Sequence, residues 1–112
     1  MSPAMFALLL ALTEGERHGY LLMSDAQRLS GGSIVLGPGT LHRTLQRMRV
    51  DGLIEKIGSD PVAVRADRRA ERRRHYQITL AGRAAAQAEA HRLAQLLASD
   101  TALALLRAEP GQ

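Results

Sequence analysis

The stretch from Pro38 to Glu55, P-G-T-L-H-R-T-L-Q-R-M-R-V-D-G-L-I-E, changes period part-way along, and that change decides the architecture. In its first part Leu41, Leu45 and Met48 recur at i, i+4 and i+7, the spacing that lines one side of an α-helix. His42, Arg43, Gln46, Arg47 and Arg49 are left on the other faces. Gly37, Pro38 and Gly39 open the helix, and Gly52 stands where a helix end wants a left-handed residue. Beyond it, Leu53 to Ile57 reads as a short strand. A helix with one apolar and one basic side therefore runs straight into a strand.

Working upstream, residues 3–13 predict a helix that is apolar nearly all round, through Met5, Phe6, Leu8, Leu9 and Leu12, with Pro3 in its first turn. Glu14 to Arg17 reads as a polar turn. A second helix is expected from His18 or Gly19 to Leu29, with His18 as its entry residue and Tyr20 in the core, as Tyr76 is. Ser30 to Ser33 break that helix, and Ile34 to Leu36 read as an edge strand.

Downstream, residues 58–71 are polar, with Gly58, Ser59, Asp60 and Pro61 as turn formers. Arg72 to Thr79 then alternates, with Arg74, Tyr76 and Ile78 on one face and Arg73, His75 and Gln77 on the other. Two strands around a basic loop predict a hairpin with a long tip. Thr79 is a good N-cap, and residues 80 to about 107 are strong helix formers. One continuous helix there would be about 40 Å long, more than a small core needs. Its apolar residues, Leu80 among them, want another surface, which the same helix of a second chain supplies. Leu93, Leu96, Leu97, Leu103 and Leu106 are the expected dimer contacts.

Three helices followed by a two-stranded wing give a fold that is mainly α with a small antiparallel β-wing, the order of a winged helix-turn-helix. That unit is expected over residues 1–79, with a C-terminal dimerisation helix and frayed tail over 80–112. A chain of 112 residues suits this much structure without a disulfide or metal. The absence of cysteine removes disulfides, thiolate metal sites and cysteine nucleophiles. The apolar run Phe6 to Leu12 is too short to cross a membrane, and Met1 to Met5 carries no basic side chain of the kind that opens a signal peptide. The expected setting is cytoplasmic, without membrane contact.

Net charge is +4, and arginine supplies 14 of the 15 basic side chains. Arg65, Arg68, Arg69, Arg72, Arg73 and Arg74 fall within ten residues, offset only by Asp67 and Glu71. Arginine's planar fork grips phosphates and guanine edges in fixed geometry, so the partner implied is double-stranded DNA. Thr40, His42, Arg43 and Arg47 lie off the apolar stripe and are expected in the major groove. Arg68, Arg69, Arg72 and Arg73 are expected to neutralise phosphates from the wing. His42, His75 and His91 share no spacing that would put them on one metal, and Gly37-Pro38-Gly39 lacks the lysine and spacing of a phosphate loop. Neither catalysis nor a cofactor is expected.

Three motifs in order carry a specific resemblance. L-L-L-A-L-T-E-G-E-R-H-G-Y from Leu8 to Tyr20 is similar to the first two helices of PadR-like regulators. The stretch from Pro38 to Glu55 resembles their recognition helix and first wing strand, and R-R-R-H-Y-Q-I-T-L-A-G-R from Arg72 to Arg83 their second wing strand and the start of the C-terminal helix. The resemblance implies a homodimer built through C-terminal helices, in the compact subgroup with a single such helix, that reads an operator and represses transcription. It also implies a small-molecule effector, for which this chain, without tryptophan and with one phenylalanine, offers no aromatic platform. Two positions depart from the pattern: His42 stands where the family commonly has tyrosine, and Asp60 to Glu71 is longer and richer in arginine than a usual wing tip. The rival reading is a winged-helix protein-interaction module without operator preference.

Overall fold

Helix α1 (Pro3–Thr13) opens with Ser2 as its N-cap, whose Oγ accepts the Met5 N–H at 3.2 Å, and with Pro3 in the first turn. The computed structural model describes residues 1–57 and 75–108. After α1 come β1 (Arg17–His18), α2 (Leu21–Leu29), α3 (Pro38–Val50), β2 (Ile54–Ile57), β3 (His75–Ile78), α4 (Leu80–Leu97) and α5 (Asp100–Arg107). Because α1 is apolar on every side, it sits at the centre, in contact with α2, α3, β3 and α4. Leu8, Leu9 and Leu12 are fully buried there, joined by Leu22 of α2 and Met48 of α3. Each such side chain contributes about 1.5–3 kcal/mol by leaving water. Tyr76 completes the core from β3, as expected.

Two helix ends are set by glycine. Gly31 (φ 64°) and Gly52 (φ 75°) take the left-handed conformation after α2 and α3. At the second of these, the Gly52 N–H donates to the Arg49 carbonyl and the Leu53 N–H to the Met48 carbonyl. This double bond pattern turns the chain sharply from α3 into β2. Thr79 fastens the same corner from the other side. Its N–H donates to the Leu53 carbonyl, its hydroxyl donates to the Gly52 carbonyl at 2.6 Å, and its Oγ1 accepts the Gly82 N–H that starts α4.

Among the described residues the sheet has three strands in the order β1-β3-β2, all antiparallel, so the two expected wing strands gain a third from an unexpected place. Arg17 and His18, read as a turn and a helix entry, pair instead with Tyr76 and His75. A two-residue strand has no period to betray it, and its partner lies far along the chain. Helix α2 consequently starts later than expected, at Leu21, and Tyr20 is 51% exposed rather than in the core. Ile34 to Leu36 form no strand: Ile34 and Leu36 pack against the core while Val35 faces outward.

The expected continuous helix over 80–107 is also two helices. Ser99 is extended (φ −66°, ψ 148°), accepts the Ala102 N–H on its Oγ and caps α5, with Asp100 in the first turn of the new helix. Serine followed by an acid is a helix-start signal, and it wins here inside a run of strong helix formers. Among the described residues no helix is long and apolar enough to cross a membrane.

Candidate nucleic-acid interface

Helix α3 starts at Gly37, whose extended backbone serves as N-cap, with Pro38 as the first helical residue. Leu41, Leu45 and Met48 are buried against the core, as their spacing requires. The geometry leaves Thr40, His42, Arg43, Gln46, Arg47 and Arg49 exposed on the remaining faces. All four α3 residues singled out from the sequence, Thr40, His42, Arg43 and Arg47, are therefore exposed, off the buried stripe.

Their contacts within the chain are local and cheap to exchange. Arg43 reaches back to the first turn, where Nη2 donates to Thr40 Oγ1 at 3.3 Å. Arg47 Nε lies 3.2 Å from Asp51 Oδ2 while its side chain remains 73% exposed. An exposed pair of this kind is worth about 0–1 kcal/mol, so a phosphate or a base edge can replace the aspartate at little cost. His42 and Gln46, one turn apart, approach through their Nε2 atoms at 3.5 Å. The sequence assigns Gln46 no role among the outward residues, although its i+4 spacing from His42 puts it beside that side chain. Thr44 is not available in the same way: it is half-buried, and its hydroxyl donates to the Thr40 carbonyl at 2.7 Å.

Beside α3, β2 and β3 form the wing. Their register pairs Ile54 with Ile78, Glu55 with Gln77, Lys56 with Tyr76 and Ile57 with His75. The Gln77 amide donates to the Glu55 carboxylate across the ladder. Arg68, Arg69, Arg72 and Arg73 lie outside the described residues.

Three acidic groups elsewhere in the fold, Glu14, Asp25 and Glu89, pair with arginines. Glu14 accepts both hydrogen bonds from Arg28 Nη2, at 3.3 and 3.1 Å, and lies 3.7 Å from Arg17. Asp25 lies within 3.6 Å of both arginines. The hydrogen bond to Glu14, and then its charge, push the Arg28 guanidinium above its ordinary pKa. This network ties the α1–β1 turn to α2. On α4, Glu89 accepts two bonds from Arg92, which hold its carboxyl below the usual range. Among the described residues no group of three or more His, Cys, Asp or Glu could hold a metal ion.

The five leucines expected at a dimer contact are spread over the two C-terminal helices. Leu93 and Leu103 are half-buried, whereas Leu96, Leu97 and Leu106 are exposed. Leu80, the first residue of α4, is 89% exposed. By contrast, Ala86 lies in the core, and Gly82 leaves no room for a side chain beside Leu53.

Comparison with known proteins decides the family. The model of the transcriptional regulator PadR-like family matches residues 8–88. The chain belongs to that family. PadR-like proteins are transcriptional regulators rather than enzymes. A transposon protein of Streptomyces fradiae, described as an uncharacterized 37.1 kDa protein, is 31% identical over 93 residues. That stretch is 83% of this chain and 24% of the relative, so the chain spans about a quarter of its length. Among solved structures, a transcriptional regulator from Clostridium thermocellum superposes with a TM-score of 0.65 at 19% identity, covering 83% of this chain and 84% of that one. RosR of H. salinarum gives 0.66 at 20% identity over 95% and 86%. A putative transcriptional regulator from Thermoplasma acidophilum gives 0.60 at 22% identity over 84% of each chain. These likenesses are of fold, and the PadR-like chain has the winged-helix architecture expected from its sequence.

Proposed function

We propose that this PadR-like protein is a homodimeric repressor that binds a pseudo-palindromic operator in double-stranded DNA. The observation that carries the reading is α3. It buries Leu41, Leu45 and Met48 in the core and leaves Thr40, His42, Arg43 and Arg47 in solvent, on the helix that leads into β2. Such a helix fits the major groove, with polar side chains at base edges and arginines able to grip guanine or phosphate. A dimer places two of these helices about one DNA turn apart. Selection of fragments from genomic DNA by the purified protein tests the reading. A recurrent half-repeated sequence is the expected result; retention of random fragments alone would leave an interaction module.

Dimerisation is assigned to the outward faces of α4 and α5, within residues 80–112. Support comes from α5 itself, an eight-residue helix with no buried residue. An isolated helix that short is unstable in water, so a neighbouring surface is needed to hold it. Leu103→Lys combined with Leu106→Lys is expected to convert a dimer to a monomer in sedimentation at micromolar concentration. An unmodified chain that sediments as a monomer would sink the assignment. Truncation after Thr79 is a poorer test, because it removes Ala86 from the core.

The arginine run is assigned to phosphates. Replacing Arg68 and Arg69 together with alanine is expected to weaken operator and random DNA by similar factors. The slope of log K against log salt should flatten by between one and about two units, at about 0.9 per contact. An unchanged slope would take this segment off the DNA.

A further inference from the structure

His18 and His75 are 57 residues apart in sequence and directly opposite one another in the β1–β3 register. Their Nε2 atoms lie 2.9 Å apart and their ring centroids 3.9 Å apart, with the planes tilted by 54°. A linear hydrogen bond between two imidazoles runs along the ring axes and would set the centroids about 5 Å apart. The rings instead lean alongside each other, with both Nε2 atoms brought to one place. We propose that this pair is a two-histidine site for a single late first-row dication, copper(II) or nickel(II).

The geometry favours those ions over zinc(II). Two nitrogens 2.9 Å apart subtend about 90° at a metal bonded to each at about 2.05 Å. That is the angle between neighbouring ligands in square-planar or octahedral coordination, which copper(II) and nickel(II) adopt. Tetrahedral zinc(II) needs its nitrogens about 3.3 Å apart, so the strands would have to open. Among the described residues the pair supplies two donors, and water can take the positions they leave.

The surroundings permit a cation. Register and pleat place His18, His75 and Ile57 in a row on one face of the sheet. Arg17, Tyr76 and Lys56 form the neighbouring row, which points to the other face. The Arg17 charge is further offset by Glu14 and Asp25, at 3.7 and 3.5 Å. The Tyr20 ring stacks on His18 at 6.3 Å and limits its orientation. An occupied site would clamp the two-residue strand β1 onto the wing, at the end of β3 that adjoins the arginine run in sequence.

The proposal is independent of the DNA reading and is tested without DNA. Nickel(II) chloride is titrated into the full chain and followed by calorimetry and by thermal melting, with magnesium(II) as the control ion. One ion per chain and a saturable rise in Tm of about 5 °C are expected. His75→Gln and His18→Gln should each abolish the response, and His91→Gln, at an exposed position on α4, should keep it. If His18→Gln fails to fold, His75→Gln alone decides, since His75 is the first residue of β3 and lies outside the buried core. Absence of any nickel(II) response in the parent, or an equal response in His75→Gln, would overturn the site.

Discussion

Gly82→Ala is expected to be among the most damaging single substitutions in this protein. A Cβ built on Gly82 would stand 1.9 Å from the Leu53 carbonyl oxygen, 2.8 Å from its carbon and 2.9 Å from Ile78 Cγ1. Two of those atoms are backbone and cannot rotate away. The same Leu53 carbonyl accepts the Thr79 N–H, and the Gly82 N–H donates to Thr79 Oγ1, so a displaced α4 loses its anchor to the α3–β2 corner. Overpacking commonly costs about 1–3 kcal/mol, and backbone contact belongs at or above the upper end. A fall in Tm on the order of 15 °C follows for a chain of this size. Gly52→Ala is the matched comparison. It meets nothing within 4 Å but holds φ at 75°, so its cost is conformational alone, about 1 kcal/mol. If thermal melts rank the two equally, α4 does not approach Leu53 as closely as described.

Arg43→Ala and Arg47→Ala are expected to lower operator affinity by about 1–3 kcal/mol each, a factor of about 5 to 150, while leaving the fold intact. Both side chains are exposed, and the contacts they make are with Thr40 and Asp51 on their own helix. Removing them therefore costs little stability. Binding to the selected operator and to random DNA, measured at two salt concentrations, separates two roles. A loss confined to the operator marks a base contact. Equal losses on both DNAs, with a flatter salt slope, would mean that the arginine touches only phosphate and that base reading rests with Thr40, His42 and Gln46.

The two substitutions probe different kinds of information. The α3 surface was legible in advance because Leu41, Leu45 and Met48 share one stripe, which fixes where every other residue of that helix points. The same local logic located α1, the glycine stop at Gly52 and the alternation of β3. It misread residues 17–20, where a two-residue strand carries no pattern and Tyr20 looked like core. It also carried one helix through Ser99, because fifteen or more strong helix formers outweigh a single cap in any summed propensity.

Fold class, the exposed surface of α3 and the excess of arginine were thus written in periodicity and composition, which act over a few neighbouring residues. Three things depended on distant segments meeting. The sheet gained β1 because Arg17 and His18 found β3. Gly82 came to have no room for a side chain because α4 crosses Leu53. His18 and His75 became a pair because antiparallel register set them opposite one another. Local sequence dictates dihedral preference and the side of an element that seeks the core. It carries no record of which far residue will face it, since that is settled by how whole elements pack to bury Leu8, Leu9, Leu12, Leu22 and Met48 together.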